Sequence, residues 1–201
     1  MYDVIIIGAG PGGIFAAYEL VKNNSNLKIA VFESGHSLDK RKCPIDGVKV
    51  KSCIKCPKCS IMSGFGGAGA FSDGKYNITN DFGGTLHEHI GDKLSLSLME
   101  YVDKINMENG GEDTKMYSTC GSSFKKKFLQ NKLNLLDARV RHLGTDVNYV
   151  VLENIYNYLK DKVTFYFDTP VTNISINNDE YSTFCDNDCY TSHYVIVSVG
   201  R

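Results

Sequence analysis

The chain has 201 residues, 42% of them hydrophobic, and its 22 Lys and Arg against 23 Asp and Glu give a formal net charge of −1. That size and apolar content suit one large domain, or part of a larger protein, built on a true core. The balance of charge argues against nucleic acid or a polybasic membrane anchor as a partner, and no apolar run reaches the roughly 20 residues of a membrane-spanning helix.

Tyr2-Asp3 stands where a signal peptide would carry positive charge, so a cytoplasmic setting is expected. Thiols stay reduced there, and the seven cysteines then point to metal, redox chemistry or burial before structural disulfides.

Residues 3–7, Asp-Val-Ile-Ile-Ile, form a β-branched run suited to a strand buried on both faces. Gly8-Ala9-Gly10-Pro11-Gly12-Gly13 follows at once, then the helix-forming run Ile14–Val21, then a second strand over 27–32 that ends on Glu33. Strand, G-x-G-x-x-G, helix, strand and acid within one short unit predict a dinucleotide-binding turn. Gly8 turns the chain out of the strand, Gly10 admits a pyrophosphate to the backbone, and Gly13 lets helix and sheet pack closely. The helix N-terminus, reached through Gly12, offers N–H groups and partial positive charge to phosphate. Glu33 can accept hydrogen bonds from a ribose.

Residues 34–63 read as a cationic loop. Lys40-Arg41-Lys42 leads into Cys43-Pro44, and Cys53-Ile54-Lys55-Cys56-Pro57-Lys58-Cys59 follows. C-x-x-C-x-x-C places three thiols in one short loop, with Cys43 as a fourth ligand, a donor set for Zn or an iron–sulfur cluster. Reduced cysteines without a ligand, or a thiol redox role tuned by the lysines, are the other readings. The segment Gly64 to Lys75, Gly-Phe-Gly-Gly-Ala-Gly-Ala-Phe-Ser-Asp-Gly-Lys, has little bulk. So many glycines cost backbone entropy unless something passes close to the main chain; a flat cofactor ring against Gly66 and Gly67 is the expectation, and a flexible linker, against which Phe65 and Phe71 argue, is the other reading.

Leu86, Ile90, Leu94, Leu98, Val102 and Ile105 recur at helical spacing until Gly110-Gly111, predicting a helix with a buried stripe. His87 and His89, two apart, do not share a face. A second amphipathic stretch covers 124–136, with Lys125-Lys126-Lys127 as a solvated face. Arg139–Leu143 alternates like a strand, and a helix starting near Thr145-Asp146 buries Val147, Val150, Val151, Ile155, Tyr158 and Leu159. His142 ahead of it is placed to hydrogen-bond backbone or to move protons at a pocket. Strands are expected over 163–167, 169–176 and 180–185, the last pairing with 189–191, so Cys185 and Cys189 read as hairpin residues. The final run, residues 194–201, reads as a separate terminal strand that returns to the first sheet and ends on a glycine, Gly200.

The fingerprint, Arg41-Lys42-Cys43-Pro44, the cysteine triplet, the Gly64–Lys75 block and Arg141-His142-Leu143-Gly144-Thr145-Asp146 together resemble a family of bacterial and archaeal FAD-dependent dehydrogenases. Those in turn are similar to glutathione-reductase-like flavoproteins. The resemblance implies an α/β fold: a Rossmann-like FAD-binding domain with an inserted Cys- and Gly-rich loop and a β-meander. It implies a single incomplete FAD/NAD(P)-binding domain over 1–201, the insertion at 34–83 and a mainly helical connection at 84–145, read as the N-terminal portion of a longer protein. Glu33 would bind the adenosine ribose, Arg41 would lie near the pyrophosphate, Val171 would offer its backbone to adenine, and Gly200 would stand beside FAD. The implied activity is FAD-dependent oxidoreduction of a small-molecule substrate or redox partner, with NAD(P)H a candidate electron donor. An NAD(P)-dependent dehydrogenase and a non-catalytic nucleotide-binding or electron-transfer module are the alternatives.

Overall fold

The computed structural model describes residues 1–200. In chain order the elements are β1 (Tyr2–Ile7), α1 (Pro11–Asn23), β2 (Ile29–Phe32), β3 (Lys75–Ile78), α2 (Leu86–Ile90), α3 (Asp92–Asn106), β4 (Met116–Ser118), α4 (Lys125–Gln130) and β5 (Arg139–His142). Then come α5 (Thr145–Leu159), β6 (Val163–Tyr166), β7 (Asn173–Asn177), β8 (Glu180–Cys185) and β9 (Asp188–Val197). The chain divides into two compact units, Met1–Phe71 with Leu152–Arg201, and Ser72–Val151. The Gly-rich segment therefore belongs with the first unit as far as Phe71.

The first unit is built on a sheet in the order β6-β2-β1-β9-β8-β7. β6, β2, β1 and β9 run parallel, with Ile7 opposite Phe32 on one side and Val197 on the other. Central parallel strands are covered on both faces, which is why β1 and β2 are continuous apolar runs without alternation. Ile5 and Ile6 are fully buried. α1 turns Ile14, Ala17, Tyr18 and Val21 inward at helical spacing. A separate cluster joins Ile5, Ile7, Ala30, Phe32 and Cys185, with Tyr166, Val171 and Tyr190 packed against it.

The expected hairpin strand at 189–191 and the separate terminal strand are one element. β9 runs ten residues, pairing antiparallel with β8 through Asp188–Ser192 and parallel with β1 through Ser192–Val197. No Gly or Pro interrupts 188–199, so nothing local stops the strand.

The second unit holds an antiparallel sheet in the order β3-β5-β4, with Tyr76 opposite Arg141 and Met116 also opposite Arg141. The long helix expected from Leu86 is two helices, split at Gly91 with φ +82. Its leucine stripe is not buried: Leu86, Leu94 and Leu98 are exposed, while α3 turns Ser95, Asp103, Ile105 and Asn106 inward. A partly buried ion pair orients it. Arg141 Nε donates to Asp103 Oδ1 at 2.6 Å, Nη2 to Oδ2 at 2.9 Å, and Nη1 to the Thr114 carbonyl at 2.6 Å. Bidentate geometry of this kind fixes angle as well as distance. α4 ends at Gln130, short of the expected stretch to 136; Lys132 takes φ +58, and Leu129, Leu133 and Leu136 are exposed. α5 buries Val151, Ile155 and Leu159 as expected, but Val150 is exposed. Among the described residues no helix is long and apolar enough to cross a membrane.

Candidate dinucleotide-binding site

The parallel order places β2 on one side of β1 and β9 on the other. That is a switch point, where open α/β sheets bind ligands beyond the carboxyl ends of their strands. A cavity of about 370 Å³ lies there, lined by Gly8, Gly10, Gly12, Glu33, Gly67, Val171, Ser198 and Gly200 among others. The volume falls in the range of small-molecule sites, roughly 300–1,000 Å³. Of the sequence-predicted cofactor residues, Gly13, Arg41 and Gly66 do not line it.

Each glycine of the turn has its own reason. Gly8 takes φ +100, and a Cβ there would strike the Ser198 carbonyl. A Cβ on Gly13 would strike the Gly8 carbonyl oxygen, so this glycine sets the helix-to-strand distance. Gly10 differs: the nearest atom to its added Cβ is Gly67 Cα at 4.0 Å, so the methyl would point into open cavity. α1 starts here with Gly10 as N-cap, Pro11 at its first position, no side-chain cap and no acid in its first turn. The first intrahelical bond is Ile14 N to Gly10 O at 3.0 Å, so the N–H groups of Gly12 and Gly13 precede the helical ladder and face the ligand end.

Glu33 is 7% exposed and carries more than the sequence suggests. Its Oε2 accepts from Ala9 N at 2.8 Å, and its Oε1 from Gly35 N at 2.8 Å and Gly64 N at 3.0 Å. A carboxylate offers about four lone-pair positions. Three backbone N–H groups take positions on it, the Ser34 hydroxyl adds a longer contact to Oε1 at 3.3 Å, and one position on Oε2 is left.

Arg41, expected near the pyrophosphate, is spent elsewhere. It is 3% exposed and gathers four carbonyls of the following loop. Nε donates to Ser60 O at 2.9 Å, Nη1 to Phe65 O at 2.6 Å and Gly67 O at 2.9 Å, and Nη2 to Ile61 O at 2.8 Å. Burial pulls the guanidinium below its ordinary value, and the Glu33 carboxylate opposes this. Phe65, fully buried, anchors the same loop edge-on against Tyr156 (5.1 Å) and Phe165 (5.8 Å). The Gly-rich segment is thus a pinned wall. Gly66, expected at the cofactor, packs between Ala70 and Leu152 and donates to Ala9 O at 2.8 Å; Gly67 alone of the pair reaches the cavity.

The four cysteines expected as metal ligands differ in exposure. Cys43 and Cys53 are exposed, Cys56 and Cys59 half-buried. Among the described residues no group of three or more His, Cys, Asp or Glu side chains is arranged to hold an ion. Lys55 takes φ +54 between the thiols and donates its N–H to Cys53 Sγ at 3.4 Å, while Cys59 O accepts from Met62 N and Ser63 N. Local backbone turns therefore shape this loop. It is also tied down from outside: Lys58 Nζ reaches Asp168 Oδ1 at 3.3 Å, and His36 Nδ1 reaches the same oxygen at 2.7 Å.

Sequence reasoning missed Ser198, His36 and Asp168. Ser198 was hidden in an apolar strand, and the His36–Asp168 pair spans 132 residues with no motif around it. His142, on β5, is exposed, as is His89 on α2.

Residues 2–109, more than half of the chain, match the family described as pyridine nucleotide-disulphide oxidoreductase. The chain belongs to that family. No curated protein matches it. Among solved structures, glycine oxidase from Geobacillus kaustophilus matches 99% of this chain and 55% of its own, at 16% identity and TM-score 0.53. Glycine oxidase from Bacillus cereus matches 100% and 55% at 14% identity and TM-score 0.51. NikD, an amino acid oxidase essential for nikkomycin biosynthesis, matches 99% and 51% at 11% identity and TM-score 0.53. The likeness is one of fold, and the chain spans about half the length of these proteins.

Proposed function

We propose that the first unit is the FAD-binding part of a flavin-dependent oxidoreductase. The observation that carries this reading is Gly10, whose missing Cβ leaves open the cavity between the α1 N-terminus and Gly67. In a pyridine nucleotide-disulphide oxidoreductase family member with this sheet order, the group that fits is a dinucleotide. Gly10 and Gly12 would hold its diphosphate against the α1 N-terminus. The remaining lone pair on Glu33 Oε2 would accept a ribose hydroxyl, and its charge would repel a 2′-phosphate. Val171 would meet the adenine through its backbone, with Gly67 and Gly200 as bare backbone walls.

The flavin, when bound, supplies the hydride and electron chemistry that no side chain here has. The chain's own contribution is to bind and orient it and to wall off one side with the loop that Arg41 pins. The family's name points to a reduced pyridine nucleotide as electron donor. The test is the visible spectrum of the purified protein, with FAD released by denaturation and titrated back into the apoprotein. Flavin absorption and stoichiometric rebinding are expected. A colourless protein that binds NAD but not FAD would overturn the reading in favour of a nicotinamide-dependent dehydrogenase.

A further inference from the structure

Gly12 is not one of the three glycines that the G-x-G-x-x-G turn needs. It stands inside α1, where only proline is a poorer helix former, and its φ lies outside the left-handed region. Some other demand keeps a side chain away. A Cβ on Gly12 would strike Ser198 Oγ, the nearest atom, with Ser198 Cβ next at 3.7 Å. The serine backbone is fixed: its N–H donates to Ile7 O at 2.8 Å, and its carbonyl packs against Gly8. Its hydroxyl thus occupies the place of the missing Gly12 side chain, at the cavity wall beside the first turn of α1. Among the described residues no protein group is hydrogen-bonded to that hydroxyl.

We propose that Ser198 is a diphosphate ligand, its O–H donating to a phosphate oxygen alongside the α1 N–H groups, and that Gly12 is glycine to make room for it. The turn is then a two-element device, with α1 giving backbone donors and the end of β9 giving a side-chain donor. This rests on the FAD reading of the site.

The experiment is calorimetric titration of the full chain with ADP, adenosine and FAD, using wild type, S198A, G12A and G12A/S198A, with melting curves for each. A hydrogen bond to a charged group predicts about a tenfold or larger loss of ADP and FAD affinity in S198A, with adenosine affinity and melting temperature unchanged. G12A should lose a similar factor, because its methyl displaces the hydroxyl. The double variant should be no weaker than the worse single one, since two methyl groups 3.7 Å apart are in ordinary contact. Unchanged ADP affinity in S198A, an equal loss for adenosine, or multiplying losses in the double variant would overturn the proposal. Wild-type protein that binds neither ADP nor FAD would instead overturn the functional reading on which it rests.

Discussion

A methyl group added at Gly10 and one added at Gly13 meet different surroundings, and the outcomes should separate binding from folding. At Gly10 the side chain enters the cavity with nothing nearer than 4.0 Å. Gly10→Val should melt within about 3 °C of wild type, the equivalent of about 1 kcal/mol in a chain of this size, yet retain no FAD. At Gly13 the methyl meets the Gly8 carbonyl, which cannot swing away. Gly13→Ala should cost about 1–3 kcal/mol through overpacking, visible as a lowered denaturation midpoint. Binding loss with destabilisation reversed between the two variants would refute the assignment. Glu33 is a third case, because its carboxylate satisfies N–H groups of Ala9, Gly35 and Gly64. Each buried donor left unpaired costs about 1–3 kcal/mol, so Glu33→Ala should lose on the order of 3 kcal/mol or more in a urea titration. A ribose contact alone would leave the apoprotein's stability untouched.

Among the elements, β1, α1 and β2 were legible because one short stretch carries strand pattern, turn chemistry and helix pattern in agreement. The α2–α3 region was legible only as helix: periodicity finds a stripe but not what covers it, and the Arg141–Asp103 pair, 38 residues apart, sets which side turns in. The cysteine loop was legible only as a set of candidate thiols, since C-x-x-C spacing sets reach along the chain while Lys55 and the Cys59 carbonyl set the turns. As the thiols form no disulfide, a thiol reagent should modify the exposed Cys43, Cys53, Cys120 and Cys189 quickly, the half-buried Cys56 and Cys59 more slowly, and the buried Cys185 slowest. Protection of the loop thiols by zinc, read by mass spectrometry, would show that a metal can still assemble them. The clasp on this loop is pH-dependent. His36 first, then Lys58, hold the Asp168 carboxyl below its ordinary value of 3.8. A depressed carboxylate stabilises the fold above its unfolded value, so the contribution is full above about pH 4. It is lost as pH falls below 3.8 through the folded value. A carboxyl NMR titration should find Asp168 below 3.8, with the His36 ring signals of Asp168→Asn insensitive to that step; an ordinary value would remove the clasp.

At the scale of the whole molecule, the two units differ in how much apolar surface each buries. Among the described residues, Ile78, Ile105, Ala138, Leu143 and Val151 are the buried apolar side chains of 72–151, whereas the first unit buries β1, β2, α1, Phe65 and the inner face of α5 beyond Val151. In the second unit Leu86, Leu94, Leu98, Phe124, Leu129 and Leu133 remain exposed. Burial contributes about 25 cal/mol per Å² of apolar surface, and opening free energies follow local burial. The two units should therefore unfold at different free energies. In native-state hydrogen exchange, amides of β1, β2 and the β1-paired part of β9 should be the slowest, exchanging only through global opening. Those of β3, β4 and β5 should exchange at least about a hundredfold faster, a gap of roughly 3 kcal/mol. Added FAD should slow exchange in the Gly8–Gly13 turn, because ligand bound to the folded state raises its opening free energy by mass action. Uniform protection across both units would mean that the Arg141–Asp103 pair and its neighbouring hydrogen bonds hold the second unit as firmly as the apolar core holds the first.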